Sequence, residues 1–188
     1  GMVLWIGDIN GDLWPDFMLP QWGLGLAESD GLGSWYFTNA LRGLNVDMDL
    51  AAWGTELADM DNDGDLDAVV VFGLLDVAGE RKNPEKQPDM LFEWRDGVFE
   101  EVAADWDFND PGQGRGLALG DLNRDGFLDV LVGMLDGTPR LHLSRCDDRT
   151  WLTVRLEQPA PHRNAIGATV EAITDDGHQS RWVMAGGP

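Results

Sequence analysis

The chain has 188 residues, 43% of them hydrophobic, with 34 acidic side chains against 13 Lys and Arg and a net charge of −21. That length can bury a real core as one domain, or as a domain with a small appendage. So acidic a body repels nucleic acid and anionic membranes, which excludes both as partners, and no apolar run is long enough to insert into a bilayer.

The charge is uneven. Residues 140–188 hold six acids and six bases, so residues 1–139 carry the whole excess. Two segments with different jobs are expected, residues 1–146 and residues 147–188. Cys146 is the sole cysteine, so no internal disulfide forms.

In chain order, a strand-like run from Val3 leads into DINGDLWPDFML at Asp8. WYFTNALRGL follows at Trp35, then WGTELAD, which runs into DMDNDGDLDAVVVF at Asp59. VAGERKNPEKQPD (Val77–Asp89) holds both lysines and two of the nine prolines, and is expected to be an exposed loop. DMLFEW, GVFEEVAADW from Gly97 and GRGLALGD come next, then DLNRDGFLDVLVGM at Asp121 and PRLHLS. The tail offers three more strand-like runs, WLTVRL, GATVEAI and SRWVM. Helix-period patterning is absent. AVVVF and VLVGM are short, rich in valine and bounded by glycine, which predicts buried strands.

The three acidic loops share one pattern. Oxygen-bearing side chains stand at loop positions one, three, five and nine: Asp8, Asn10, Asp12 and Asp16; Asp59, Asp61, Asp63 and Asp67; Asp121, Asn123, Asp125 and Asp129. Position seven (Trp14, Asp65, Phe127) would contribute a backbone carbonyl, so its side chain varies. Oxygen-only ligands alternating along a tight loop suit a hard cation, and calcium is the expected cofactor, in the second and third loops with the first as a further site. Two carboxylates about 4 Å apart repel by roughly 4 kcal/mol at an effective dielectric near 20, so a metal-free loop is pushed open.

Glycine at position six (Gly64, Gly126) suits a turn with positive φ. Leu13 takes that position in the first loop, with Gly11 expected to relieve it by shifting the turn. An EF-hand is excluded, because position twelve holds Leu19, Val70 and Val132 rather than a bidentate Glu, and each loop leads into a strand. Asp67 and Asp129 are expected to be bidentate in its place. The competing account is an Asp- and Gly-rich hairpin turn on a solvated face.

The loops recur 51 residues apart from Asp8 to Asp59 and 62 apart from Asp59 to Asp121. Each unit is expected to run aromatic strand, small-residue strand, metal loop, apolar strand, final strand. Four short strands per unit is the pattern of propeller blades. The expected fold is therefore all-β: about three antiparallel, propeller-like blades forming a partial propeller, with a small β-rich C-terminal segment. Three blades are too few to close a ring. The open edge would be covered by residues 150–184 folding back, or by a second copy of the chain.

Seven tryptophans recur in the repeats (Trp5, Trp14, Trp22, Trp35, Trp53, Trp94, Trp106), and filling space between blades is their expected role. Trp14 and Trp106, beside acidic loops, are the candidates for an exposed platform. His142, between Leu141 and Leu143, is expected to face solvent. Arg163 and Asn164 read as turn residues. No zinc-type histidine pair, nucleophile elbow or phosphate loop is present.

On these residues the chain resembles the FG-GAP (VCBS-type) repeats of integrin α-subunits and many bacterial surface proteins. WLTVRLEQPAPHRNAIGATVEAITDDGHQSRWVMAGGP is similar to the start of the ASPIC/UnbV domain found after such repeats in the cartilage acidic protein family. Trp151, Leu152, Val154, Leu156, Arg163–Ala168, Val170 and Gly177 carry that likeness. His162 stands where that family usually has asparagine. The chain is expected to be an excised piece, since Gly1 reads as a tag remnant and the domain would continue past Gly187-Pro188. The resemblance implies calcium-stabilised blades, a secreted, periplasmic or cell-surface location and a non-enzymatic interaction or adhesion role. The partner would be a protein or carbohydrate, and the chain would self-associate. The alternative is a fragment of a calcium-dependent carbohydrate-active enzyme such as a polysaccharide lyase, with Glu56 and Asp59 near the metal. Such an enzyme needs a base beside the site, and Arg115 and Arg124 are the basic residues nearest a loop.

Overall fold

A computed structural model describes residues 4–74, 87–135, 137–144, 148–161, 163–174 and 177–184. The proposed boundary at residues 146/147, Cys146, His162, Gly187-Pro188 and most of the Val77–Asp89 loop lie outside them. The described residues form strands and irregular connections with no helix.

Among the described residues, thirteen strands form four antiparallel sheets. The first contains β1 (Trp5–Gly7), β2 (Asp16–Gln21), β3 (Gly23–Ser29) and β4 (Trp35–Phe37), paired in that order. The second repeats it with β5 (Ala52–Ala58), β6 (Asp67–Phe72), β7 (Met90–Arg95) and β8 (Val98–Glu101). The third contains β9 (Gly114–Gly120), β10 (Asp129–Met134) and β11 (Arg140–His142), and the fourth is the hairpin of β12 (Thr169–Ile173) and β13 (His178–Trp182). The all-β, blade-like architecture is as expected, and the blades do not close.

The phase of the repeat differs from the expectation. Trp35–Phe37 is the outermost strand of the first sheet and Val98–Glu101 that of the second, so each aromatic strand closes a blade rather than opening the next. The second and third blades instead begin with their small-residue strands, β5 and β9, the first begins with Trp5–Gly7, and the acidic loop is the first hairpin connection in each.

Small residues are needed there because neighbouring sheets approach closely. A Cβ on Gly54 of β5 would lie 2.7 Å from the Leu117 side chain of β9, closer than packed carbons tolerate. Strand β6 is buried along its whole length, and its two faces serve different cores. Ala68, Val70 and Phe72 pack with Met18, Leu26, Leu44, Trp94 and Phe99 between the first and second sheets. Val69 and Val71 pack with Leu91, Phe108, Val130 and Val132 between the second and third. That two-sided burial is why AVVVF is continuous rather than alternating.

The outer face of the third sheet has no such neighbour. Val130 and Val132 point inward, while Leu131, Leu141 and Leu143 are exposed. His142 therefore corrects the sequence expectation: it faces the inside, edge-on to Phe108 at 4.9 Å, with Nε2 buried, and its leucine neighbours take the solvent side. An unclosed stack reverses the usual inside–outside assignment at its last strand. Gln87 and Asp89, expected in an exposed loop, are buried. The Gln87 amide oxygen accepts from Ala51 N–H and the Asp89 carboxylate from Phe72 N–H.

WLTVRL forms no strand, since no element pairs with residues 151–156, whereas GATVEAI and SRWVM supply β12 and β13. The tail does fold back, but onto the acidic loops; Leu131 and Leu141 stay uncovered.

Candidate metal centre

Three acidic loops join the first and second strands of their blades, and one hydrogen-bond scheme builds all three. The position-one carboxylate accepts backbone N–H groups from positions five and six: Asp8 from Asp12 and Leu13, Asp59 from Asp63 and Gly64, Asp121 from Asp125 and Gly126, all at 3.0–3.1 Å. The position-three oxygens of Asn10, Asp61 and Asn123 accept from position five. The position-five carboxylates of Asp12, Asp63 and Asp125 accept from position seven, that is Trp14, Asp65 and Phe127. These Asx-type turns wrap the chain around its own carboxylates.

The backbone is left-handed at positions four and six in every loop: Gly11 and Leu13, Asn62 and Gly64, Arg124 and Gly126. Gly11 therefore does not shift the turn, because position four is left-handed in all three. Leu13 itself adopts φ 71°, which costs about 1–2 kcal/mol relative to glycine.

Position nine is a strut. Asp16, Asp67 and Asp129 are buried, and both oxygens of each accept backbone N–H groups. One bond returns to position two (Ile9, Met60, Leu122). The other crosses the blade to Ser29, Trp94 or Ser144. Each aspartate thus ties its loop to the far side of its own sheet. Each oxygen accepts one N–H and keeps a further lone pair that a metal could use.

Among the described residues, Asp59, Asp61 and Asp67 bring one carboxylate oxygen each to within 4.8 Å of one another. The Asp65 side chain also turns in, with Oδ1 buried and without a hydrogen-bond partner, so this residue offers more than its carbonyl. Burial, joined by the charge of Asp63, pushes the Asp59 carboxyl up to about 6 and that of Asp65 up to about 7. Burial outweighs two backbone hydrogen bonds to push Asp67 up to about 8. Crowded carboxylates that resist ionisation, all hard oxygen donors, fit a calcium ion. The first and third loops have the same backbone with Asn10 and Asn123 at position three and Trp14 and Phe127 at position seven, so each presents two carboxylates fewer. In the third, the Asn123 amide donates to Asp125 Oδ2 at 2.7 Å.

Sequence reasoning missed the basic side chains on these loops. Arg149 lies 2.8 Å from Asp61 Oδ2 and 3.7 Å from Asp63 Oδ2, and Arg181 donates to the Gly64 carbonyl at 3.4 Å. Both come from the charge-neutral tail, whose separate charge balance was the available signal. Arg115 instead stacks on Trp53 with its guanidinium 4.5 Å from the ring centroid. Of the two platform candidates Trp14 is exposed, whereas Trp106 is half-buried and its indole donates to Glu93 at 2.8 Å. Trp94 fills space as expected, edge-on to Phe99 between the first two sheets.

Each acidic loop forms the first turn of an antiparallel blade, and residues 73–132 match the FG-GAP-like repeat family. Curated proteins similar to the chain include cartilage acidic protein 1: 38% identical over 91 residues in Homo sapiens, and 36% in both Xenopus tropicalis and Mus musculus. The matched stretch is 45% of this chain but 14% of each relative's length. Among the described residues, no helix is long and apolar enough to cross a membrane.

Proposed function

We propose that the chain is a calcium-rigidified, non-enzymatic interaction scaffold working in a secreted, periplasmic or cell-surface setting. The observation that carries this reading is the convergence of Asp59, Asp61 and Asp67 in a loop whose scheme recurs twice more. Asp63 and Asp65 add ligands around that trio, and Asn123, Asp125 and Asp129 with Asp121 form the second site. Millimolar calcium outside cells matches the weaker end of such loops. The ion's role is mechanical: it neutralises mutually repelling carboxylates and locks the first turn of each blade. The similarity to cartilage acidic protein 1 supports an extracellular repeat role; a protein or carbohydrate is the partner such a scaffold would hold.

A calcium-assisted lyase requires a free base in an open cleft beside the metal. Arg149 is instead paired with Asp61 and Asp63, and the tail lies over the loops, which favours the scaffold. Calorimetric titration of chelator-treated protein is the test. At least two calcium sites are expected, and Asp61→Asn should weaken one of them while leaving the metal-free melting curve in place. Absence of binding at millimolar calcium refutes the proposal.

A further inference from the structure

Position six of the second and third acidic loops lies under a side chain of the C-terminal tail. A Cβ on Gly126 would fall 1.8 Å from the Trp151 indole nitrogen, and one on Gly64 would fall 2.3 Å from the Gln179 amide nitrogen. In the first loop Leu13 faces the tail across a hollow that it lines with Ile6, Trp14, Trp182 and Met184. The tail reaches the second loop at three further points: Arg149 to the Asp61 carboxylate and carbonyl, and Arg181 to the Gly64 carbonyl. Glycine at Gly64 and Gly126 thus has two causes, the left-handed backbone and the closeness of the tail. Leu13 accepts its strained φ where the tail presents Trp182 and Met184, an apolar surface that glycine would leave unmatched.

We propose that residues 148–184 form a clamp whose docking is coupled to the metal state of the loops, so that calcium loading and tail docking reinforce each other. This rests on the calcium reading above. Docking needs position six of the second and third loops in place, and a loop opened by carboxylate repulsion moves that residue away. Conversely, Trp151 and Gln179 hold the turn that presents the ligands. Coupling of this kind is reciprocal by thermodynamic necessity, with typical factors of about 5–150. Calcium then switches the display of the tail's exposed outer surface without touching it.

The experiment pairs calorimetry with limited trypsin digestion of the whole chain, following cleavage after Arg155 and Arg163. Calcium should slow these cleavages at least five-fold relative to chelator. Trp151→Ala should weaken calcium at the third loop by a similar factor and spare the second, and Gln179→Ala should do the reverse. Hydrogen exchange of the blade strands confirms that each variant is folded. If calorimetry shows calcium binding while cleavage is unchanged and both variants bind as the parent does, the coupling is refuted and the calcium sites stand. If no calcium binds, both readings fall.

Discussion

Replacing Asp67 by alanine separates the strut from the ligand. Its two oxygens accept from Met60 N–H at 2.8 Å and Trp94 N–H at 3.0 Å, and the side chain is 1% exposed. Alanine leaves two buried donors without acceptors, at about 1–3 kcal/mol each, for a total of about 2–6 kcal/mol. A domain's whole stability is about 5–15 kcal/mol. For a chain of this length about 1 kcal/mol moves the melting temperature by about 2–4 °C, so a loss on the order of ten degrees is expected. The loss should appear in full with chelator present, because the strut does not need the ion. Asp61→Ala is the contrast: its side chain accepts only locally within the loop and pairs with Arg149, so it should cost little without calcium. Melting curves by circular dichroism in chelator decide the matter. If Asp67→Ala melts within a degree of the parent, the cross-blade strut is refuted.

Asp89 lies away from the loops, and burial pushes its carboxyl up to about 7, against the pull of the Phe72 N–H bond and Arg140 and with the charge of Asp110 adding to the rise. Because that exceeds the unfolded value of 3.8, the folded state holds the proton more tightly, and stability is lost as pH rises between about 4 and 7. In saturating calcium, Asp89→Asn should remove that part of the slope, and parallel denaturation curves for the two proteins across this range would contradict it. Calcium at a thousandfold excess over its dissociation constant should stabilise the protein by about 4 kcal/mol, and an unchanged melting curve on chelation would mean that the loops are ordinary turns. The uncovered face bearing Leu131 and Leu141, with the exposed edge strand at Tyr36 and Phe37, predicts self-association. Light scattering should give a mass above 20.7 kDa that falls to that value in Leu131→Lys/Leu141→Lys; a parent already at the monomer mass refutes the contact.

The acidic loops were legible because their chemistry is local: ligand spacing, glycine at position six and the strand after position nine all lie within one short segment. Blade phase was harder, since a strand's composition does not name its partner. Signals for it existed all the same. The Asp96-Gly97 pair ties β7 to β8 as a tight hairpin, and Asp30, Gly31, Gly33 and Ser34 do the same for β3 and β4. His142 was misread because alternation shows that two faces differ, not which of them is buried. Nothing local marks Asp67 as a cross-blade strut, since its acceptor role depends on Trp94, 27 residues away. The same holds for Arg149, whose partners stand 88 residues upstream.

Crystals grown with calcium and measured for anomalous scattering test the central claim most directly. The account predicts peaks inside the second and third loops, with six to eight oxygens at roughly 2.3–2.6 Å. Around the second, Asp59, Asp61 and Asp67 should be among the ligands. Density showing only water within those loops at millimolar calcium would contradict it.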